Sequence, residues 1–218
     1  MKVAVLFSGD VESMMALSKI RQEHEIRYLA VVHSKNTDDY VFHTPNLGLT
    51  LLQAEIMNFQ LVSKEARSEE DLKILLDDLD IEGVSCDIID NKYKKKLVEK
   101  VCNQLNLKFL TPLTGINQEK LLKDAIKNKF ESIISAANHE GFDESWLGRK
   151  VDEKCINDLI KLKKKFGISI LGENGEYESL VLDCPMFTRK ILLTKFENNW
   201  KNGKGVLEIM DAKLVEKL

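Results

Sequence analysis

The chain has 218 residues, a formal net charge of −3, 44% hydrophobic and 31% charged residues. That describes an ordinary globular protein with material for one large domain or two small ones. No overall basic field draws it to nucleic acid or anionic lipid, and no apolar run is long enough to span a bilayer. The start, MKVAVLFSGD, has too short an apolar run for a signal peptide. Cys86, Cys102, Cys155 and Cys184 form no close pair, so neither a zinc knuckle nor a redox dithiol is signalled. Scattered cysteines in a Lys/Glu-rich chain suit a reducing cytosol, so a cytoplasmic location is expected.

"KVAVLF" is a continuous apolar run, as expected of a strand buried on both faces of a parallel sheet. A helix is predicted from about Glu12, then a second strand over Ile26–Val32. After the loop "HSKNTDDYVFH", Thr44 and Pro45 read as an N-cap and first helical residue. The helix continues through "NLGLTLLQAEIMN", and "FQLV" is a short third strand. Ser68 and Asp71 make a capping box for the helix "EEDLKILLDDLD". "GVSCDII" and "LKFLT" are the fourth and fifth strands, around the helix "YKKKLVEKVCNQL". "FESIISAAN" is a sixth, after "QEKLLKDAIKN".

This alternation predicts right-handed crossovers and a parallel, doubly wound α/β sheet over residues 1–137. Beyond Asn138 the texture changes. "HEGFDESWLGRKVDE" reads as an ordered loop, "EKCINDLIKLKKKFG" as a helix, and "SIL", "LVLD", "RKILLTKF" and "GVLEIMDAKLV" as short strand-like runs. A soft boundary near residue 111 divides a parallel α/β domain, 1–111, from a smaller α+β domain, 112–218.

Several stretches carry chemistry. In a doubly wound sheet the turn after the first strand is the usual phosphate seat. Ser8, Gly9 and Ser13 suit that role, although the spacing is not a Walker motif. The plain alternative is a strand–helix turn with Ser13 near the helix start. His43 in "FHTPN" is either a hydrogen-bonding proton shuttle or a loop histidine near a cap. Trp146 and Arg149 can stack on and clamp an anion. Otherwise Trp146 packs on the sheet and Arg149 pairs with Asp143 or Glu144. Glu173, Glu176 and Glu178 surround two glycines, a set able to bind Mg²⁺, hold ammonium or act as a base, or simply an ordinary solvated turn. The lysine runs Lys92–Lys96 and Lys161–Lys165 read as solvated helix faces, with contact to a protein or its RNA as the sharper reading.

"LFSGDVES" resembles the "SGGxDS" pyrophosphate loop of the N-type ATP pyrophosphatases, with two breaks. "YVFHTPN", "DESWLGRKVDE" and "GENGEYESLVLDCPMF" resemble signatures of the archaeal and eukaryotic diphthine–ammonia ligase family, in order and along nearly the whole chain. The resemblance implies an adenine-nucleotide-binding parallel domain followed by a family-specific one. It implies ATP and Mg²⁺, diphthine-bearing elongation factor 2 as protein substrate, and ammonium. ATP adenylates the diphthine carboxylate and ammonia displaces AMP. Carried onto this chain, Ser8, Gly9, Asp10, Glu12, Ser13 and Tyr93 would hold the nucleotide, with Glu12 as metal ligand. Thr44, Asn46, Asp143, Glu144, Ser145, Trp146 and Arg149 would meet the acceptor, and His43, Glu173, Glu176 and Glu178 would do the catalysis. No membrane or direct nucleic-acid binding is expected, and a homodimer is left open.

The departures concern charge. The family's second loop glycine is Asp10 here and its loop aspartate is Glu12. Its "GAIxSEYQ" stretch is "DIIDNKYKKKL", which keeps Tyr93 but puts Asp87 at the small position and Leu97 at the arginine. A carboxylate about 4 Å from a phosphate charge costs roughly 4 kcal/mol at an effective dielectric near 20. Micromolar affinity is worth only about 8 kcal/mol. Three arrangements relieve this: Asp10 turned to solvent in a left-handed conformation, Asp10 or Glu12 on Mg²⁺, or compensation by Lys92, Lys94 or Lys95. The alternative reading is a catalytically lapsed relative that keeps the fold and binds the elongation factor, another ligand or an active paralogue.

Overall fold

The structure is a computed structural model that describes residues 1–33, 46–65 and 68–217. These divide into two compact units, one of residues 1–8 and 12–115, the other of 9–11 and 116–218.

In the first unit the apolar runs become strands: β1 (Lys2–Leu6), β2 (Glu25–His33), β3 (Gln60–Glu65), β4 (Gly83–Ser85) and β5 (Lys108–Leu110). All pair in parallel, in the order β3-β2-β1-β4-β5. Val3, Ala4 and Val5 of β1 are fully buried, which is why that run does not alternate. The connections are α1 (Val11–Ile20), α2 (Leu47–Ile56), α3 (Glu69–Asp77) and α4 (Lys92–Gln104). The capping box opens α3 as its sequence predicts, with the Ser68 backbone N–H donating to Asp71 Oδ2 at 3.2 Å. Asn46 is the N-cap of α2, in a left-handed conformation (φ 60°); Thr44 and Pro45, expected there, lie outside the described residues.

Leu72, Leu75 and Leu76 of α3 and Val98, Val101 and Cys102 of α4 form one core with Ala4, Ala30, Val84 and Cys86. Each fully buried leucine contributes about 1.5–3 kcal/mol. Side chains alternate along a strand, so Val3, Val5 and Ser85 face the other way. Right-handed crossovers put α1 and α2 on that second face. The winding reverses between β1 and β4, which pair through Val3–Gly83, Ala4–Val84 and Val5–Ser85. The carboxyl ends of these two strands are therefore the topological switch point, where doubly wound sheets bind ligands.

The second unit has an antiparallel sheet of β6 (Glu131–Ala137), β7 (Tyr177–Asp183), β8 (Lys190–Lys201) and β9 (Lys204–Val215), in the order β7-β6-β9-β8. Two helices accompany it, α5 (Gln118–Lys127) and α6 (Glu153–Phe166). Asp152 caps α6 by accepting from Cys155 N at 2.8 Å, and Gly167 ends it in a left-handed conformation. The sixth strand is a correction to the parallel reading of residues 1–137. β6 is as apolar as a parallel strand, but it is the second strand of the antiparallel sheet. A second correction concerns "SIL": Ser169, Ile170 and Leu171 are buried yet form a turn rather than a strand. No helix among the described residues is long and apolar enough to cross a membrane.

Candidate functional site

The switch point of the first unit is lined by sequence-predicted residues. Ser8 follows β1. Glu12 and Ser13 lie in the first turn of α1 and are buried, Glu12 at 8% exposure. Gly9 supplies the left-handed step of the turn (φ 81°), and Asp10 is not among the described non-glycine residues with positive φ. The left-handed relief considered for Asp10 is therefore taken by its neighbour. Gly9–Val11 groups with the second unit, where Gly9 O accepts from Val181 N at 3.0 Å and Val11 N donates to Ser179 Oγ at 3.1 Å.

The turn after β4 resolves the question of Asp87. Its carboxylate is 8% exposed, and Lys94 Nζ meets Oδ1 at 2.9 Å. The helical offset explains the reach. Asn91 caps α4 by accepting from Lys94 N at 2.9 Å, which sets the lysine at the third position of the helix, over the strand end. Of the three lysines considered, Lys94 supplies the compensating charge. Cys86 Sγ also donates to Asp87 Oδ1, at 3.4 Å, and burial pushes its thiol pKa far above the ordinary range. Tyr93, in the first turn of α4, is 59% exposed.

In the second unit the three glutamates do different work. Glu176 is 6% exposed, and its carboxylate accepts from Ser169 N at 2.8 Å, Asn174 N at 3.0 Å and Asn174 Nδ2 at 3.1 Å. It pins the turn formed by residues 169–176. Glu173 accepts from Gln118 Nε2 at 3.1 Å, while Gln118 Oε1 accepts from Ile170 N at 3.0 Å and Ser169 Oγ at 3.3 Å. Glu178 lies in β7 opposite Ala136 and is half-buried. Tyr177 closes the knot by donating from its hydroxyl to Ile170 O. Gly172 is required at φ 72°, since a Cβ there would lie 2.2 Å from Tyr177 O. Among the described residues no three His, Cys, Asp or Glu side chains converge as a metal cage. The three glutamates therefore do not form one.

The "DESWLGR" loop is ordered by its own side chains. Asp143 caps a short 3₁₀ turn by accepting from Ser145 N at 2.9 Å and from Ser145 Oγ. Glu144 and Ser145 are exposed; Trp146 is buried edge-on to Phe142, with centroids 4.8 Å apart. The Arg149 guanidinium lies 4.4 Å from the Trp146 ring centroid and donates to Asp158 at 2.6 Å. The acid expected from the local sequence, Asp143 or Glu144, is replaced by one on α6. Hydrogen bonds from Lys161 and Arg149 hold the Asp158 carboxyl down to about 2.

The structure thus brings Ser8, Glu12 and Ser13 to one strand end, and separately gathers Glu173 and Glu176 in one turn. His43 and Thr44 lie outside the described residues, and Asn46 contributes its backbone to the start of α2, with Leu49 N donating to Asn46 O at 2.8 Å. Sequence reasoning missed Gln118, Asp158 and Ser179. Gln118 alone carried a signal: a long amide just after the Asn117 cap, where a free N–H is already satisfied and the side chain can serve elsewhere.

Comparison with known proteins agrees with the motif reading. Residues 1–109 match the diphthamide synthase N-terminal domain and residues 117–215 the diphthamide synthase C-terminal domain. The chain is 33% identical over 226 residues to a diphthine–ammonia ligase of Rattus norvegicus, covering 90% of this chain and 84% of that one. It is 32% identical to the Homo sapiens diphthine–ammonia ligase over the same shares. Among solved structures it is similar to a "predicted subunit of tRNA methyltransferase" from Methanocaldococcus jannaschii, with a TM-score of 0.45, 16% identity, and 85% of this chain and 98% of that chain covered. Matches to both domain families along nearly its whole length show that the chain belongs to the diphthamide synthase family.

Proposed function

We propose that this protein amidates the diphthine carboxylate of elongation factor 2 at the expense of ATP. The observation that carries the reading is the match of both halves of the chain to diphthamide synthase domains, with diphthine–ammonia ligases as relatives over 90% of the chain. The switch point of β1 and β4 supports it. The chain passes there from β1 into α1, the usual phosphate seat of a doubly wound sheet, and the acid that would oppose phosphate, Asp87, is paired with Lys94.

In this reading Ser8, Gly9 and Ser13 hold phosphate oxygens. The diphthine carboxylate oxygen attacks the α-phosphorus of ATP and pyrophosphate leaves. Ammonia nitrogen then attacks the acyl carbon and the bond to AMP breaks. Mg²⁺ is commonly carried by phosphates with only one or two protein carboxylates, so the lack of a three-residue cage among the described residues fits a nucleotide-borne ion. Glu12, with Asp10 beside it, is the carboxylate we assign to it, where it neutralises phosphate charge. Glu176 has its oxygens engaged by amide N–H groups. We assign removal of the ammonium proton to Glu173, Glu178 or His43, with Glu176 holding the turn. Trp146 and Arg149, with Asp143, Glu144 and Ser145, form the loop assigned to the protein acceptor. Tyr93 is assigned to the nucleotide.

The test is direct. Purified protein, Mg-ATP, ammonium and diphthine-bearing elongation factor 2 are combined. AMP is measured by chromatography and acid-to-amide conversion by mass spectrometry. AMP in step with amide supports the reading; no AMP with either ammonium or a protein ammonia source refutes it.

A further inference from the structure

We propose that Lys94 is a positioning residue of the nucleotide site, acting through Asp87 rather than on the phosphate itself. The inference rests on the nucleotide reading above and adds to it the residue that lets an acid stand at the switch point. Three observations converge on the carboxyl end of β4. Asp87 is almost fully buried there, two residues beyond the strand, and a buried unpaired carboxylate would hold its field across the crevice with little screening. Lys94 Nζ sits 2.9 Å from Asp87 Oδ1, delivered by the first turn of α4, whose Asn91 cap fixes that turn. Finally, Ser85, the last residue of β4, is fully buried, and its Oγ has no hydrogen-bond partner among the described residues. A buried hydroxyl without a partner is costly, and it leaves a polar atom at the end of β4. The strand end thus carries polar groups, and the ion pair keeps it neutral.

The pair makes a prediction that a plain stability role does not. Removing the lysine alone exposes the acid to the nucleotide; removing both charges restores neutrality. Binding of Mg-ATP is measured by calorimetry for wild type, Lys94→Met, Asp87→Asn, the double variant and Lys94→Arg, each checked by thermal unfolding. We expect Lys94→Met to weaken binding at least tenfold, about 1.4 kcal/mol. Asp87→Asn should bind at least as tightly as wild type, the double variant within about threefold of it, and Lys94→Arg likewise. A double variant as weak as Lys94→Met overturns the proposal, because the lysine would then touch phosphate directly. Lys94→Met binding like wild type overturns it too. Absence of binding by the wild type is a different failure, one that removes the nucleotide reading itself.

Discussion

The turn after β4 and the turn of residues 169–176 both place an acid where the chain is tightly folded, yet they satisfy it in opposite ways. Asp87 is met by a side-chain cation, Lys94, whose own side chain is 29% exposed. Glu176 is met by main-chain N–H groups of Ser169 and Asn174. A charge held by a movable lysine can be rebalanced by that lysine. A charge held by backbone donors is part of the folded turn, since losing it strands donors that have nowhere to go. Acids in glycine-bearing turns look alike in a sequence; the partner decides whether they tune a site or build one.

The comparison is tested most severely at Gly172. Gly172→Ala forces a Cβ against Tyr177 O at positive φ and should cost more than about 3 kcal/mol, lowering the unfolding midpoint by roughly 6 °C or more. A midpoint within a degree of wild type would show that the knot yields easily. Next, Glu176→Ala leaves the Ser169 and Asn174 amides without an acceptor and should cost about 2–4 kcal/mol, whereas Glu176→Gln, which keeps one acceptor oxygen, should cost roughly half of that. Equal losses would mean that charge, not acceptor geometry, holds the turn.

On the other side, Asp87→Asn should change stability by less than about 1 kcal/mol, because Lys94 can turn to solvent. A larger loss, read by denaturant unfolding, would make this pair as structural as Glu176. Asp158 is a second acid met by cations, and it carries a pH signature. Its folded carboxyl is lowered from 3.8 to about 2 by Lys161 and Arg149. A depressed carboxyl stabilises the fold above its unfolded value, and that contribution is lost as pH falls through the folded one. The Asp158→Asn midpoint should therefore lie a few degrees below wild type near neutral pH, with the gap closing between about pH 4 and pH 2. A gap that persists at pH 2 would assign the effect to packing on Arg149.

The smallest effect is expected of the thiols. Cys86 beside Asp87 and the other three cysteines are all buried and free. Burial raises Cys102, Cys155 and Cys184 to about 11. Native protein at pH 8 should react with a thiol reagent at fewer than one site, and at all four once denatured. Fast native reaction of Cys86 would show that the turn after β4 opens.

Much of this protein was determined by local rules that the sequence carries openly. An unbroken apolar β1, a capping box at Ser68 and Asp71 and the α6 pattern ending at Gly167 report secondary structure, because periodicity, caps and positive φ act within a few residues. The family was legible in motifs for the same reason, being contiguous. What tertiary structure alone decided are the partners at long separation. Strand β6 reads the same whether it pairs in parallel or antiparallel; only β7 and β9, some 40 and 70 residues on, settle it. "SIL" is buried like a strand, and it is a turn because Glu176 and Gln118 take its amides. Arg149 passes over two nearby acids for Asp158, since α6 brings that carboxylate beside the Trp146 ring. Asp87 reads as damage in the sequence and as half of an ion pair in the fold, because one turn and one helix cap place Lys94 over it.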